Sequence, residues 1–418
     1  MRAVLAAAAW WIPASAWRDF NVLDFGAVGD GQTFDTAAIR SAAAELKRAK
    51  GGRLLFPAGH RFLTGAFNIS SNCQLVVEAN ASILASQRSA DWPLIRPLEW
   101  YGGGSDRRDG SPMYQALIHS DSADNLTLEG EGTIDGQGEP WWDCWRHSKG
   151  KAPPCSGYSR PHLIMLVRAR GVTMRGLRVR RSPCWTLHFA WVTDLVVTGV
   201  QVWNPSDSPN TDGIDLDCTQ NALVESSTFD VGDDALCVKS GVDFLGRNFG
   251  RPSRNIVFRD VEVGHGHGIT VGSEMSAGIF NVTFQNISMR ATGIGPRVKT
   301  QRGRGGVIDG ILFKDIKAAQ MGEMLQMTME YSGDLPKTNV SATPAIRNVV
   351  FDNVVFSGGR SAGRFVGLPE APLEGVVLRN VVIPSNASYG ECHDVVSSHC
   401  EGTSLCPPCF KASLLALV

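Results

Sequence analysis

The chain has 418 residues, of which 43% are hydrophobic and 19% charged, and its formal net charge is −1. This is the composition of an ordinary globular protein with enough apolar residues for a large core. The balanced charge argues against a broadly basic nucleic-acid-binding surface, so an anionic partner would have to be met by a local cluster of cations.

The first sixteen residues have the pattern of a secretory signal peptide. Arg2 gives the positive start, residues 4–12 are mostly apolar, and residues 14–16 form an A-x-A cleavage site. A buried N-terminal helix is the alternative. The apolar stretch is too short to span a bilayer, and no later segment approaches the required length. We therefore expect residues 1–16 to be removed and the protein to be secreted, to the extracellular space or the cell wall, with no membrane partner.

A helix is the first element predicted in the mature chain, over residues 36–50. Ala38, Ile39, Ala42 and Leu46 recur at the spacing that places them on one helix face. Such a helix can plug the N-terminal end of a repetitive structure, since the ends of these structures need capping.

A short pattern then recurs along most of the chain. A small residue, Asn or Asp precedes alternating apolar positions, and Asn, Gly or Asp follows five residues later, most clearly in residues 255–263. Other copies start at Asn125, Gly171, Asp194, Asn221, Asn281, Gly310, Asn348 and Gly375. The copies are mostly 23 to 38 residues apart, with one gap of 46 residues that would hold two coils.

Alternating apolar positions are typical of strands with one buried face, and Asn or Gly suits the turns between them. Short strands and tight turns at this period predict a parallel β-solenoid, because each coil needs its neighbours to cover its inner face. A β-sandwich would show hairpin dipeptides, and a leucine-rich repeat would show its leucine pattern. We expect an all-β, single-stranded parallel β-helix with an N-terminal helical cap, over residues 17–390, followed by a cysteine-rich tail over residues 391–418 that packs on or caps it.

Ten cysteines fit an exported protein. Four of them lie in the tail, and Cys144 and Cys155 bracket a short loop; in an oxidising compartment these residues form disulfides, whose pairing the sequence leaves open. The alternative is a zinc site made by Cys406 and Cys409 with His393 and His399. Seven sequons agree with a eukaryotic secretory route, although some fall in predicted strands: Asn68, Asn80, Asn125, Asn281, Asn286, Asn339 and Asn386.

Chemically active side chains concentrate in the central coils. Asp212 lies 21 residues before Asp233, which is close to one short coil, and Asp234 follows directly. Residues one coil apart stack at about 4.8 Å, so three carboxylates should share one surface. Repulsion among them would keep one protonated near neutral pH, as acetal cleavage requires. His267 follows in the next coil, and Arg297 with Lys299 lies beyond it.

These segments resemble the four signature motifs of the polygalacturonase family of glycoside hydrolases, in order: residues 210–212, 232–234, 266–268 and 297–299. Three flanking segments agree as well, at residues 132–138, 182–188 and 272–274. Residues 25–31 resemble the opening of the wider group of pectin-degrading β-helix enzymes. The resemblance covers roughly residues 20–385. It implies a right-handed parallel β-helix that hydrolyses α-1,4-linked galacturonic acid with inversion.

The resemblance also implies a role for each residue. Asp233 would be the general acid, while Asp212 and Asp234 would position and deprotonate the attacking water. His267 would tune or hold the acid, and Asn210 would orient Asp212 or a sugar hydroxyl. The substrate carboxylate would be bound by Arg297 and Lys299; this suits their chemistry, because Arg offers a planar fork and Lys a compact charge.

Three features depart from the family pattern. Carboxylates one coil apart would be closer than the separation of about 6.5–9.5 Å expected for inverting enzymes, and on spacing alone they predict retention; the resemblance implies inversion, which splayed side chains would reconcile with the spacing. His265 lies two residues before His267, and the spacing of the following residues favours His267. Ala235 stands where the family commonly has Cys, and Cys237 comes two residues later, so no local disulfide is inferred from relatives.

Exo action is mildly favoured over endo action. Residues 272–276 and 302–306 are more similar to the branch that contains exo-acting bacterial enzymes and many plant homologues. An insertion over residues 98–115 could close one end of a cleft, or be an unremarkable loop. The alternatives are a hydrolase of rhamnogalacturonan or xylogalacturonan, a calcium-dependent lyase on a similar solenoid, and a non-catalytic carbohydrate-binding β-helix. We expect a monomer that needs no cofactor or metal and whose partner is an acidic polysaccharide, pectin or galacturonan.

Overall fold

The structure is a computed structural model that describes residues 17–104, 108–331 and 342–410. It contains helices α1 (Thr36–Arg48), α2 (Glu139–Ser148) and α3 (Asp243–Phe249), and two 3-10 turns at Val22–Phe25 and Ser89–Asp91. The predicted signal peptide and the sequon at Asn339 lie outside the described residues. Within the described ranges, no helix is both long and apolar enough to cross a membrane.

The strands of the N-terminal half are, in chain order, β1 Asp19–Asn21, β2 Asp30–Phe34, β3 Gly52–Phe56, β4 Arg61–Thr64, β5 Phe67–Asn68, β6 Cys73–Val77, β7 Ser82–Ala85, β8 Leu94–Ile95, β9 Met113–Tyr114, β10 Ile118–Asp121, β11 Asp124–Glu129, β12 Thr133–Asp135, β13 Ile164–Val167, β14 Arg170–Arg175, β15 Arg178–Arg180, β16 Leu187–Ala190, β17 Thr193–Thr198 and β18 Gln201–Trp203. Those of the C-terminal half are β19 Ile214–Asp217, β20 Gln220–Glu225, β21 Thr228–Asp230, β22 Leu236–Lys239, β23 Ser253–Val263, β24 Ile269–Gly272, β25 Ile279–Arg290, β26 Arg297–Lys299, β27 Val307–Ala319, β28 Met321–Thr328, β29 Ala345–Phe356, β30 Gly359–Val366, β31 Leu373–Glu374, β32 Val377–Val382, β33 Tyr389–His393, β34 Val395–Val396 and β35 His399–Glu401.

The chain winds into a single right-handed parallel β-helix, which confirms the predicted fold. Eleven strands form one sheet, in the order β5, β10, β13, β16, β19, β22, β24, β26, β28, β30 and β33. A 22-stranded sheet forms the rest of the wall. Its early coils contribute two short strands each, and later coils one long strand: β20 and β21 both pair with β23.

Stacking of equivalent residues builds the core. Along β25 buried and more exposed positions largely alternate, as the sequence pattern predicts. Phe258, Phe284, Phe313 and Phe351 stack through four successive coils with ring centroids 4.8 to 5.0 Å apart. Each stacked pair contributes about 0.5–1.5 kcal/mol beyond the burial of its surface.

The turn residues stack as well. Asn255, Asn281 and Asn348 have positive φ angles of 54° to 58°, which Asn tolerates better than most residues. The side-chain amide of Asn281 donates to Asn255 at 2.9 Å, and that of Asn255 to Asn221 at 3.1 Å. These ladders satisfy the polar turn groups and explain why the repeat has Asn, Asp or Gly at these places.

One prediction about the repeat was wrong. The 46-residue gap after Asn125 holds one coil, because β11 pairs directly with β14, Leu126 opposite Val172. The extra residues leave the coil as α2 and a loop closed by the Cys144–Cys155 disulfide. Sequence spacing counts residues and cannot distinguish an additional coil from a loop that bulges outward.

Both ends of the described β-helix are covered. Helix α1 buries Ala38, Ile39, Ala42 and Leu46 against the first coils, as predicted, and it ends at Arg48, two residues before the predicted end. At the other end β33, β34 and β35 add a last coil. The tail cysteines pair as Cys392–Cys409 and Cys400–Cys406, which excludes the alternative of a zinc site made by their thiolates. The domain boundary at residues 390 and 391 stays a prediction.

Candidate active site

The polar site lies on the outer face of the eleven-stranded sheet. In β19 the side chains of Ile214 and Leu216 enter the core, so those of Asp215 and Asp217 lie on the opposite face. The same alternation places Cys237 and Lys239 of β22 outside, followed by Thr270 of β24 and by Arg297 and Lys299 of β26. A polar surface therefore runs along four successive coils.

The coil register decides which carboxylates stack. Ile214 lies opposite Leu236, an offset of 22 residues, so Asp212 is level with Asp234 and not with Asp233. Gly213 makes this close approach possible: its N–H donates to the carbonyl of Asp234 at 2.9 Å, and a Cβ there would lie 2.4 Å from the carbonyl oxygen of Ala235. Asp233 is offset by one position from the stacked pair.

Asp234 is held by cations. Lys299 Nζ lies 2.7 Å from its Oδ2, Arg297 Nη1 3.6 Å from its Oδ1, and the Thr270 hydroxyl donates to Oδ1 at 2.8 Å. Burial opposes ionisation of Asp234, but Lys299, Arg297 and Lys239 outweigh it and hold its pKa well below the usual range. Asp234 is therefore a carboxylate throughout the physiological pH range.

Asp233 is paired with an imidazole. His267 Nδ1 lies 2.8 Å from Asp233 Oδ1, and this hydrogen bond raises the pKa of His267 against the opposing effect of burial. His265 instead contacts Asp230, with Nδ1 at 2.8 Å from its Oδ1. The structure thus brings His267, and not His265, to the predicted acid. Asp233 and His267 are also accessible, with side chains 20% and 46% exposed, whereas Asp212 and Asp234 are almost fully buried.

A second charged cluster, which the sequence reasoning missed, adjoins Asp212. Lys239 Nζ lies 3.2 Å from Glu274 Oε2, 3.4 Å from Asp215 Oδ1 and 3.7 Å from Asp212 Oδ2. Asp215 is fully buried. The sequence did contain a signal for this cluster, because an Asp or a Lys within a buried strand requires a hydrogen-bonding or charged partner.

Burial and like charge both act on the acids of this cluster. Burial raises the pKa of Asp212 well above its usual value, and Asp215 and Asp233 raise it further. Burial likewise raises the pKa of Asp215 to about 7, although Lys239 opposes the rise. Burial is thus a larger cause of the raised pKa values than the repulsion on which the sequence argument relied, and a protonated carboxyl near neutral pH stays a prediction.

Asn210 has a different partner from the predicted one. Its side-chain oxygen accepts a hydrogen bond from Arg160 Nη2 at 2.7 Å, a residue that the sequence did not single out. Arg160 is buried and also donates to the carbonyl of Pro209 at 2.9 Å. Arg160 therefore fixes the loop that leads to Asp212, and substrate binding by Asn210 stays a prediction.

The insertion over residues 98–115, described except for residues 105–107, packs on the same face of the sheet. Trp100 Nε1 donates to Asp217 at 2.6 Å, and Arg108 Nη2 donates to Glu274 at 2.7 Å. Its apolar residues form a cluster with outward-facing side chains of the two coils before β19, among them Met165, Val167 and Ala190. The insertion covers the polar surface on its N-terminal side.

Two groups of side chains have metal-ligand spacing. The donor atoms of Asp233, Asp234 and His267 lie within 4.8 Å of one another, as do those of a group formed by Asp212, Asp215 and Cys237. Each group already has an ammonium beside it, Lys299 or Lys239, which supplies the positive charge that a metal would bring. The expectation of neither metal nor cofactor stays a prediction.

Comparison with known proteins agrees with this geometry. Residues 56–401 match the family described as Glycosyl hydrolases family 28, and residues 19–92 match Rhamnogalacturonase A/epimerase, pectate lyase-like. The chain belongs to glycosyl hydrolase family 28. It is therefore an O-glycosyl hydrolase of the polygalacturonase type, as the motifs predicted.

Individual relatives give the extent of the likeness. A probable polygalacturonase of Vitis vinifera is 34% identical over 369 residues, which cover 87% of this chain and 74% of the relative. A hyperthermoactive exopolygalacturonase from Thermotoga maritima is 26% identical with a TM-score of 0.79, over 92% of both chains. A family 28 exopolygalacturonase from Yersinia enterocolitica, 22% identical with a TM-score of 0.76, shares the fold over 92% of this chain and 77% of its own.

Within this family 28 chain, Cys237 forms no disulfide. It is buried, and its thiol lies 3.4 Å from the carbonyl oxygen of Gly272. Burial raises the pKa of its thiol well above the usual value, so Cys237 remains a neutral packing residue of the site.

Proposed function

We propose that this enzyme hydrolyses α-1,4-galacturonosidic bonds of galacturonan with inversion and releases sugar units from a chain end. The observation that carries the proposal is the contact of Lys299 and Arg297 with Asp234, at 2.7 and 3.6 Å. Two cations beside the acid–base carboxylates form a receptor for the carboxylate of an acidic sugar. A neutral polysaccharide would offer them no carboxylate, and both would stay paired with Asp234 alone.

The same contact gives the order of events. In the free enzyme Asp234 occupies the position of the substrate carboxylate. When a galacturonate carboxylate binds to Lys299 and Arg297, it draws their charge away from Asp234, whose pKa rises towards the range of an effective general base. Binding of an acidic sugar thus activates the base.

Acid and base then act on opposite sides of the bond. Asp233, the accessible acid, protonates the glycosidic oxygen, and His267 holds its carboxyl group in place. Asp234 takes the proton of the attacking water, which Asp212 helps to position. The water attacks the anomeric carbon from the face opposite the leaving group, so the configuration inverts.

Exo action is supported by the cover over one end of the polar surface. The insertion packs over the coils before β19, and of the groups named above only Asp233 and His267 have substantial exposure. A site of this shape suits the end of a chain better than its middle. The 26% identical Thermotoga maritima neighbour is named an exopolygalacturonase.

We also propose an extracellular or cell-wall location and a monomeric state. Disulfides at Cys144, Cys392 and Cys400 suit an oxidising compartment. Rhamnogalacturonan and xylogalacturonan remain the alternative substrates. The paired cations favour plain galacturonan, where every unit presents a carboxylate to them.

Product analysis on polygalacturonic acid tests the function, with chelator present and Asp233→Asn alongside. Galacturonic acid released as monomer from the first minutes, and lost in the variant, is the expected result; mixed oligomers would mean endo action. Proton NMR of the first turnover should show the β-anomer. An α-anomer would overturn inversion, and unsaturated ends would overturn hydrolysis. Activity on branched pectins alone would reassign the substrate.

A further inference from the structure

A chain of buried charges connects the insertion with Asp212. Arg108 Nη2 lies 2.7 Å from Glu274 Oε1, and Glu274 Oε2 lies 3.2 Å from Lys239 Nζ. Lys239 in turn is 3.7 Å from Asp212. The side chains of all four are at most 12% exposed. Charges in such an environment are weakly screened and influence one another strongly.

Among the described residues, Glu274 is the charged partner of Arg108. Its Nε and Nη1 are buried without a hydrogen-bond partner among the described residues, and its guanidinium lies 5.4 Å from the ring centroid of Tyr101. Leaving two donors unpaired costs free energy. The ion pair with Glu274 is therefore the main electrostatic interaction of Arg108. Arg108 lies outside the helices and strands, so the backbone structure does not depend on it.

We propose that Arg108 is a positioning residue that couples the closed end of the site to the acid–base carboxylates. By neutralising one side of Glu274, Arg108 leaves Lys239 free to remain close to Asp212 and Asp215. The Lys239 ammonium then stabilises the ionised forms of both acids; without Arg108, Glu274 would compete for Lys239. The proposal rests on the proposed function.

Other charges face the cluster and fix the expected sign. Asp212 is influenced by Asp215, Asp233, Asp234 and Lys239, and Glu274 by Lys239, Arg108, Arg304 and Lys299. Burial opposes ionisation of Glu274, but these cations hold its pKa well below the usual range, so it stays charged. Loss of Arg108 therefore makes the surroundings of Asp212 more negative, and protonation of the Asp212–Asp215 pair becomes easier.

The test is the pH dependence of kcat/KM for the full-length enzyme on a short oligogalacturonide. Arg108→Gln should move the limb that reports this coupled pair upwards by about 0.5–1 pH unit. Arg108→Lys should restore most of the wild-type position. Glu274→Gln should move the limb downwards, and the double variant should lie between the single ones. Arg96→Gln, an exposed Arg just before the insertion, is the matched control.

Failure of the coupling and failure of the proposed function give different results. If Arg108→Gln melts as the wild type does and its limb coincides with that of the wild type, the coupling is wrong. If Arg108→Gln releases longer products with no shift of the limb, Arg108 only anchors the loop, which also overturns it. If the wild type releases no galacturonic acid from any oligogalacturonide, the proposed function fails first.

Discussion

The two sides of the polar surface differ in what covers them. Before β19 the outward face carries apolar residues beside His119 and His188, and the insertion packs Trp100 and Tyr101 on its apolar part. In the coils that follow His267, Gly293, Gly322 and then Arg360 stack above one another. A groove of about 500 Å³ lies along this second stretch. The fold is the same on both sides, so the side chains and one loop decide which side is closed.

The open side is kept flat by backbone packing. A Cβ on Gly322 would lie 2.2 Å from the carbonyl oxygen of Gly293 and 3.1 Å from Arg360 Nη2. Larger residues would disrupt the coil as well as fill the groove. The comparison shows that a single insertion can cover one end of the outer face of a solenoid while the coils beneath it stay the same.

The largest effect is expected where the two sides meet. Asp233→Asn removes the proposed acid and should lower kcat by about 10³-fold or more, with an unchanged melting temperature. Asp230→Asn is the matched control, because Asp230 forms the same kind of pair with His265 outside the site. A variant with near-normal kcat would place the acid elsewhere.

Lys299→Gln should lower kcat/KM for galacturonan by about 10- to 100-fold, the loss of a charge-assisted hydrogen bond. It should also raise the pKa of Asp234, since Lys299 is the largest cause that lowers it. The acidic limb of the kcat profile should therefore move to higher pH. An effect on KM alone would argue against the exchange of Lys299 between Asp234 and substrate.

The closed side can be opened by Trp100→Ala. Loss of this buried side chain should destabilise the protein by about 3–5 kcal/mol and loosen the insertion, so that mixed oligomers join the monomer among the products. Trp100→Phe keeps an aromatic ring in place, although it loses the bond to Asp217 and some buried volume, so it should retain monomer release. Unchanged products from a folded Trp100→Ala would mean that the insertion does not set the product length.

Stability should fall as pH rises from about 6.5 to 8; below this range the buried His119 and His162, whose pKa values are lowered by burial, act in the opposite direction to Asp215. Asp215, with a pKa of about 7, keeps its proton in the folded state at pH values where the unfolded chain has lost it, so the native state binds more protons and rising pH favours unfolding. The raised pKa of His267 acts in the same direction above about pH 6.5. We expect a melting-temperature drop on the order of 5 °C, smaller in Asp215→Asn. A rising curve would contradict both assignments.

The smallest effect is expected on the open side. Arg360 is exposed, so Arg360→Gln should raise KM for long oligogalacturonides by about two- to fivefold and leave short ones unaffected. Arg96→Gln serves again as the exposed control. Equal effects on short and long substrates would show that the groove does not receive the polymer.

The sequence by itself determined the repeat, the capping helix and the chemical groups. Alternating apolar residues with Asn or Gly at the turns are compatible with few structures other than stacked coils. Asp233, His267, Arg297 and Lys299 could be named because their residue types and order carry the chemistry. Residue types and their order can be read from the sequence without any knowledge of the fold.

The tertiary structure decided what depends on register and on loops. An offset of 22 residues instead of 21 places Asp212 beside Asp234, because a one-residue shift redirects side chains by half a period. Lys239 could be assigned to the site only from the structure, because the stacking of the coils places Glu274 beside it. Whether extra residues form another coil or a loop, and which side of the surface they close, depends on contacts between segments far apart in the chain.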